Sequence, residues 1–146
     1  MFGLTAPIRF GRERRVQMEN EEILETAKSR LWLGEDGIVC IVWIPGAEVT
    51  LEDAQETMAA YLKMNKGKRR PLLVDTKTMK SLARGARQYY ASEEAAKVAS
   101  AVAIIVGTPV SRVLGNFYLG VSHPKLPTRL FSSEAEALEW LKGYLE

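Results

Sequence analysis

Two groups of polar side chains in the sequence could bind an anion. The first group consists of Asp75, Thr76, Thr78, Thr108, Ser111 and Arg112. Pro109 suits the first position of a helix, so Ser111 and Arg112 fall in a first helical turn, where free N–H groups favour an anion. The alternative is that Thr108 only caps the helix and Arg112 is solvated. This alternative is favoured because no glycine-rich phosphate loop accompanies these residues.

Arg84 and Arg87 form the second group. They are three residues apart and share one side of a predicted helix. Paired guanidinium groups can clamp a carboxylate or a phosphate. The alternative, which is favoured, is that they pair with Glu93 or Glu94 or stay in water. No histidine, cysteine or second carboxylate lies near Asp75 in the sequence, so no acid–base pair and no catalytic residue is predicted.

Composition narrows the classes of protein. The chain has 146 residues, 47% of them hydrophobic and 26% charged, which indicates one globular domain. A net charge of +2 is too small to indicate a nucleic-acid partner. His123 and Cys40 are the only residues of their types, so neither a metal site, a cofactor nor a disulfide is predicted. No apolar run approaches the roughly 20 residues that span a bilayer, and we expect a cytoplasmic protein that is not an integral membrane protein.

Apolar runs predict the strands. Residues 38–44 and 101–106 are apolar on both faces, which is typical of central strands covered on two sides. Shorter strands are predicted at residues 31–33, 71–74 and 128–131. Gly37 sits in the turn between the first two strands, so this pair should be an antiparallel hairpin.

Capping residues predict where the helices begin. Thr50 with Asp53 and Ser133 with Glu136 have the spacing of capping boxes, and Ser92 should restart or kink the helix that begins near residue 82. Two helices show an apolar stripe that we expect to be buried. In the first helix the stripe is Leu51, Ala54, Met58, Tyr61 and Leu62, and after Pro109 it is Val110, Val113, Leu114, Phe117, Tyr118 and Val121.

The element order is therefore β-β-α-β-α-β-α-β-α, an α/β fold with a mostly parallel sheet of about five strands, an antiparallel edge strand and about four helices. Residues 1–28 are predicted to form an N-terminal arm, since apolar residues alternate from Phe2 to Phe10 as in a strand. The alternative is an upstream extension before Met18. Residues 29–146 form the main domain.

The element order and residues 127–141 resemble the SpoIIAA-like (STAS) proteins, relatives of the anti-sigma-factor antagonists. The carrying motifs are Arg-x-Phe at the end of the last strand and Glu-Ala-x-x-Trp-Leu in the helix that follows. The resemblance covers about residues 29–146. It implies a stand-alone, non-enzymatic regulatory or protein-interaction module that forms a homodimer or binds another protein. Antagonists carry a phosphorylatable serine where this chain has Arg84 or Ala83, so that site is not expected here.

The resemblance also implies a place for a ligand. In the family's strand order, the runs 38–44 and 101–106 lie side by side, and a crevice opens between their carboxyl ends, flanked by Asp75, Thr76 and Thr78. The alternative function is therefore binding of a small anionic metabolite or a lipid-like molecule. A further alternative is an apolar pocket between the helix of Tyr89 and Tyr90 and that of Phe117 and Tyr118. Such aromatic residues are more often part of a core or an interface.

Overall fold

The computed structural model describes residues 23–146. The predicted N-terminal strand lies outside these residues. The strands are β1 (Ile23–Glu25), β2 (Ser29–Leu33), β3 (Val39–Trp43), β4 (Glu48–Val49), β5 (Arg70–Asp75), β6 (Ser81–Leu82), β7 (Ala99–Ile105) and β8 (Thr128–Phe131). The helices are α1 (Leu51–Asn65), α2 (Arg84–Tyr90), α3 (Glu93–Val98), α4 (Pro109–Phe117), a π-helical turn (Tyr118–Ser122) and α5 (Glu134–Lys142).

Six strands form the main sheet in the order β1-β2-β3-β5-β7-β8, and β4 pairs with β6 in a separate two-stranded sheet. The first three strands are antiparallel, and those from β3 onward are parallel. Gly37 has a φ of +87° in the turn between β2 and β3, a conformation that glycine adopts without strain. The predicted α/β fold, with its mostly parallel sheet and antiparallel edge, is confirmed.

The position of β5 corrects the predicted arrangement of the central strands. β5 pairs with β3 on one side and with β7 on the other, so the two longest apolar runs are not neighbours. The predicted crevice between their carboxyl ends therefore cannot form. Each crossover from β3 to β8 moves in the same direction across the sheet, and right-handed crossovers of this kind place their helices on one face. The described sheet has no point at which the winding reverses.

The core has two layers, one on each face of the sheet. Val39, Ile41 and Trp43 pack toward the connecting helices α1–α4. The alternate residue Cys40 and residues such as Leu73 pack on the opposite face with α5. This alternation is the two-residue period of a strand, with both faces apolar because both are covered.

The predicted helix starts are present. The Thr50 Oγ1 accepts from the Asp53 N–H at 3.2 Å, and the Asp53 carboxylate accepts from the Thr50 N–H at 2.9 Å. Ser92 caps α3 as a new helix, and Ser133 caps α5 through the Glu136 N–H. Residues 23–25, which the sequence placed in the N-terminal arm, form a strand that extends the antiparallel hairpin as its third strand.

Helix α4 buries a different stripe from the one predicted. Ser111, Gly115 and Tyr118 are buried. The exposed fractions are 53% for Val110, 66% for Val113, 45% for Phe117 and 56% for Val121. We call these four residues the α4 ridge. Close packing at Gly115 explains the orientation, because a Cβ there would lie 2.9 Å from a methyl carbon of Leu130 on β8.

The predicted stripe of α1 is also only partly correct. Ala54 and Tyr61 are buried, and Met58 is half-buried. Leu51 and Leu62 are exposed, and their places in the core are taken by Thr57, Met64 and Asn65. The helix is thus rotated by part of a turn from the predicted orientation.

Candidate functional site

A cavity of about 110 Å³ lies between the sheet and the connecting helices. Its floor is made of sheet residues, which include Ile41, Trp43, Leu72, Val74, Val102 and Ile104. Its roof is made of helix residues, which include Thr57, Met58, Tyr61, Tyr90, Leu114 and Gly115, with Tyr118 from the π-helical turn. Met79, Leu82 and Leu126 close the sides. The cavity thus lies on the face of the three central strands that α1–α4 cover.

The floor of the cavity is less well covered than the opposite face of the same strands. Leu72, Val74 and Val102 are only partly buried, although they lie on the two middle strands of the parallel region. On the opposite face of these strands Leu73 and Ala101 have no exposed surface. Central strands with both faces covered usually bury both sets of side chains. The roof therefore leaves space that a well-packed core would fill.

The part of the roof that carries Tyr90 and Ala95 is built from short pieces of helix. α2 has seven residues and α3 has six, and the chain turns between them at Ala91 and Ser92. Ala95 on α3 offers only a methyl group to the cavity, and so does Ala99 at the start of β7. Such small side chains fill little of the space beneath this part of the roof.

Most hydroxyl groups in the cavity wall are already hydrogen bonded within the protein. The Tyr61 hydroxyl donates to the carbonyl of Arg70 at 2.6 Å, and the Thr76 hydroxyl donates to the carbonyl of Ile105 at 2.9 Å. The Thr57 hydroxyl lies 3.2 Å from that of Ser29. These groups fix the wall and have little capacity left for a ligand.

The Tyr90 hydroxyl is the exception. It is sealed from solvent and makes no hydrogen bond with any residue between 23 and 146. A buried polar group without a partner costs about 1–3 kcal/mol. Burial raises the pKa of Tyr90 well above its ordinary value, and the nearby Thr57 side chain offsets only part of that effect. The hydroxyl is therefore protonated at neutral pH, and because its oxygen has no accessible surface, a molecule in the cavity does not reach it.

The wall of the cavity is uncharged at neutral pH. Burial raises the pKa of Tyr61 to about 12 and also raises that of Tyr118. Neither acids, lysines nor arginines are among the described residues that line the cavity. The arrangement can hold a small apolar molecule.

The first predicted site group forms a closed network of its own. The Thr108 Oγ1 accepts from the Ser111 N–H at 3.0 Å and donates to the carbonyl of Lys77 at 3.1 Å. The Ser111 Oγ accepts from the N–H groups of Gly107 and Thr108, each at 3.0 Å. The Lys77 side chain also covers this edge. Two of its methylene carbons lie only 2.8 and 2.9 Å from the point that a Cβ would occupy if residue 107 were not glycine. The polar groups that were predicted to bind an anion contact each other.

Asp75 is buried on the face toward α5, on the same side of β5 as Leu73. Its carboxylate accepts from the Lys77 N–H at 2.9 Å and lies 3.7 Å from the Lys77 Nζ. Burial raises the pKa of Asp75, and Lys77 opposes the shift. Thr76 lies in the cavity wall, whereas the Thr78 and Arg112 side chains are exposed. The structure thus divides the first group between three environments.

Arg84 and Arg87 line a separate surface depression beside the π-helical turn. Gln88, Ala91, Val121 and Ser122 complete it. The Arg87 Nη1 donates to the carbonyl of Leu82 at 2.7 Å, so this guanidinium is already held in place. Arg84 is exposed and makes no side-chain hydrogen bond or ion pair within the described chain.

The sequence profile of a family described as a domain of unknown function (DUF7793) matches residues 31–145. The chain belongs to this family. No functionally curated protein matches it. The DUF7793 domain is similar to an uncharacterized DUF3478-family protein with a SpoIIAA-like fold from Shewanella loihica PV-4. The TM-score is 0.53 at 17% identity, over 83% of this chain and 91% of that one. At this identity the similarity shows the fold alone, and it confirms the SpoIIAA-like fold that the sequence predicted.

A second solved structure is that of a protein of unknown function from Arthrobacter sp. FB24. It is 39% identical, over 76% of this chain and 96% of that one, with a TM-score of 0.32. None of the helices described between residues 23 and 146 has the length and apolar character needed to cross a membrane.

Sequence reasoning did not identify most of the cavity of the DUF7793 domain. It named Tyr90 and Tyr118 as aromatic residues of facing helices, and both line the cavity. It did not single out Thr57, Met79 or Val102 for this role. Thr57 and Tyr61 are four residues apart, and this spacing indicates that they share one face of α1. No sequence pattern indicates that a cavity remains between that face and the sheet.

Proposed function

We propose that this domain is a non-enzymatic regulatory module that binds a small apolar ligand in the cavity under α1–α4. The observation that carries the proposal is the cavity itself, whose described lining is apolar and uncharged. Concave, mostly apolar sites with few polar groups are typical of small-molecule binding. A cytoplasmic location is part of the proposal.

The character of the wall favours binding over catalysis. The described residues that line the cavity provide tyrosine and threonine hydroxyls but no carboxylate, imidazole or thiol. Burial keeps the phenols of Tyr61, Tyr90 and Tyr118 protonated, because it raises their pKa values. A general base or an activated nucleophile needs a group that changes protonation near the working pH.

Helix α4 connects the cavity with the surface. Leu114 and Gly115 line the cavity, and the neighbouring residues Val113 and Phe117 belong to the exposed α4 ridge. A ligand that fills the cavity therefore contacts the same short helix that presents the ridge. The regulatory part of the proposal is that occupancy of the cavity changes how the ridge meets a protein partner.

Benzene is a suitable first probe, because an engineered apolar cavity of about 150 Å³ binds it and the present cavity is of similar size. We expect benzene to raise the thermal unfolding midpoint of the protein, because a ligand that binds only the folded state stabilises it. Val102→Phe should abolish this shift by filling the floor of the cavity. Val110→Phe is the matched control on the exposed ridge and should keep the shift. Equal benzene shifts in both variants, or no shift in the wild type, would refute the proposal.

A second candidate function is homodimerisation through the α4 ridge. The ridge residues are spaced by three or four positions, which is the spacing of a helix–helix seam. An exposed row of large apolar side chains marks an interaction surface, and a two-fold contact joins the same surface of two copies.

The oligomeric state tests this candidate. Size-exclusion chromatography with light scattering should give a dimer, and Val113→Glu at the centre of the ridge should give a monomer. Arg87 and Arg112 flank the ridge, so the two copies bring like charges together, and added salt should strengthen the dimer. A wild-type monomer at high protein concentration would exclude this candidate and leave the ligand proposal intact.

A further inference from the structure

We infer that the α4 ridge, together with Arg84, Arg87 and Arg112, binds an acidic amphipathic helix of another protein. The inference rests on the regulatory part of the proposed function and specifies the chemistry of the protein partner. Its support comes from the exposed apolar row, the arginines on both sides of that row and the lack of acidic residues in the segments that form this surface.

The ridge has the length and the spacing that suit a partner helix. Val110 and Val121 are eleven positions apart, which corresponds to about 16 Å along a helix axis at 1.5 Å per residue. About three turns of a partner helix cover this distance. A helix with its own apolar residues at intervals of three and four can lay that stripe along the ridge, as amphipathic helices do on apolar surfaces. Such a contact removes a continuous row of apolar side chains from water.

Three arginines border the ridge. The Arg87 Cζ lies 4.8 Å from the ring centroid of Phe117, on the side of α2. Arg84 lines the same surface depression as Arg87, beside the π-helical turn. Arg112 is exposed on α4, and at about 100° per residue it lies on the opposite side of Val113 from Phe117. Positive charge therefore stands on both flanks of the apolar row.

The charge of these arginines is not balanced within the described chain. None of the three makes an ion pair with any residue between 23 and 146. Residues 76–92 and 95–133, which include α2, α4 and the π-helical turn, contain eight lysines and arginines but no aspartate or glutamate. The surface is thus positive, although the net charge of the whole chain is only +2. Arginine is enriched at protein interfaces, and acidic residues on a partner supply the complementary charge.

Two other occupants fit this surface less well. A second copy, related by a two-fold axis, would bring the arginines of the two ridges together. A helix that binds a membrane surface usually carries Trp, Phe or Leu on its apolar face, and Phe117 is the only such residue in the ridge. An acidic helix meets the arginines with opposite charge and packs on the valines without deep insertion.

Two designed helical peptides of 14 residues test the inference. Both carry leucine at positions 1, 4, 8 and 11. The remaining positions hold alanine and glutamate in one peptide, and alanine and lysine in the other. Fluorescence anisotropy in 50 mM salt measures their dissociation constants with the whole protein. We expect the glutamate peptide to bind about tenfold more tightly than the lysine peptide, and 500 mM salt should weaken its binding.

Variants of the protein locate the binding surface. Val113→Glu should abolish binding of the glutamate peptide, and the double variant Arg84→Glu with Arg112→Glu should weaken it about tenfold. The matched controls are Leu62→Glu on α1, which replaces another exposed apolar residue, and Lys142→Glu on α5, which reverses an exposed charge on the opposite face of the sheet. Both controls should bind the peptide as the wild type does.

Several outcomes would overturn the inference. They are equal affinity for the two peptides, no binding of the glutamate peptide at 1 mM, and binding that survives in Val113→Glu. Sedimentation with vesicles of phosphatidylcholine and phosphatidylglycerol that Val113→Glu abolishes would assign the ridge to a membrane instead. A dimer that Val113→Glu dissociates would assign it to a second copy. In each case a persisting benzene shift leaves ligand binding in the cavity standing, whereas a missing benzene shift with the expected peptide binding overturns the cavity proposal alone.

Discussion

The guanidinium of Arg87 on α2 stacks on the ring of Phe117 on α4, with 4.8 Å between the Arg87 Cζ and the ring centroid. The same group donates a hydrogen bond of 2.7 Å to the carbonyl of Leu82, just before α2. Because α2 carries Tyr90 and α4 carries Leu114, this contact ties together two sides of the cavity roof. Arg87 thus stabilises the site from the outside.

Replacing Arg87 should loosen the roof. Arg87→Gln loses the cation–π contact and the bond to Leu82, and we expect the free energy of unfolding to fall by about 1–2 kcal/mol. Urea titration followed by far-UV circular dichroism measures this change. Arg84→Gln is the control on the same helix and should leave stability unchanged, because the Arg84 side chain has no hydrogen bond or ion pair in the described structure. Equal effects of the two substitutions would contradict the structural role of Arg87.

Adding a methyl group at Gly115 should destabilise the protein. A Cβ at this position would lie 2.9 and 3.1 Å from the two methyl carbons of Leu130 and 3.4 Å from a methyl carbon of Val106. Gly115→Ala should therefore cost about 1 kcal/mol, since overpacking outweighs the better helix propensity of alanine. The added methyl group of Gly120→Ala meets no atom of residues 23–146 within 4 Å and should stabilise the protein by about 0.4–1 kcal/mol. Chemical denaturation of both variants decides the matter, and a stabilising Gly115→Ala would be inconsistent with the close packing of α4.

Asp75 should make stability fall as the pH rises from about 4. Burial raises the folded-state pKa of Asp75 above its ordinary value of 3.8, and Lys77 only partly opposes this. The folded protein then holds this proton more tightly, so the contribution of Asp75 is greatest below pH 3.8 and is lost as the pH rises through the folded-state pKa. Asp75→Asn should be more stable than the wild type at pH 7, with a difference that shrinks toward pH 4.

Asp53 should change the stability of the protein with pH in the direction opposite to Asp75. Burial alone would raise its pKa, but Lys28 and Thr50 outweigh burial and hold the pKa below 3.8. Its contribution is therefore present above pH 3.8 and is lost as the pH falls through the folded-state pKa. Asp53→Asn should be less stable than the wild type at pH 7. Thermal unfolding between pH 3 and pH 7 measures both differences, and pH trends of the same sign for Asp75 and Asp53 would contradict these assignments.

Thr108 should act as a helix cap and not as an anion ligand. Thr108→Val loses the bonds to Ser111 and Lys77, and we expect a cost of about 1–2 kcal/mol. Thr78→Val is the matched control, because the Thr78 side chain is exposed, and it should be neutral. Phosphate should not stabilise the wild type more than chloride at the same ionic strength. If phosphate stabilised the wild type and Arg112→Gln removed that effect, the result would support the predicted anion site instead.

Local signals in the sequence predicted the elements well. The runs that became β3 and β7 are apolar on both faces, and Thr50 with Asp53 and Thr108 before Pro109 have the spacing of helix caps. These features depend on residues close together in the chain. Patterns of this kind are therefore readable without knowledge of the fold.

Features that depend on distant residues could not be predicted in this way. The position of β5 between β3 and β7 is a matter of strand order, and hydrophobic patterning does not determine that order. In α4 the more apolar stripe was expected inside, but the close approach of Gly115 to Leu130 turned that stripe to solvent. The cavity exists because the side chains under the roof fill less than the available volume. The spacing of residues in the sequence does not show how much volume stays unfilled.

The main sheet also has a consequence for how the protein is made. Its described strands lie side by side in the order in which they occur along the chain. Each strand from β2 onward can therefore add to an edge that is already present, and none has to insert between two paired strands. A chain that leaves the ribosome from its amino end can extend this sheet as it is synthesised, with α5 closing the second face last.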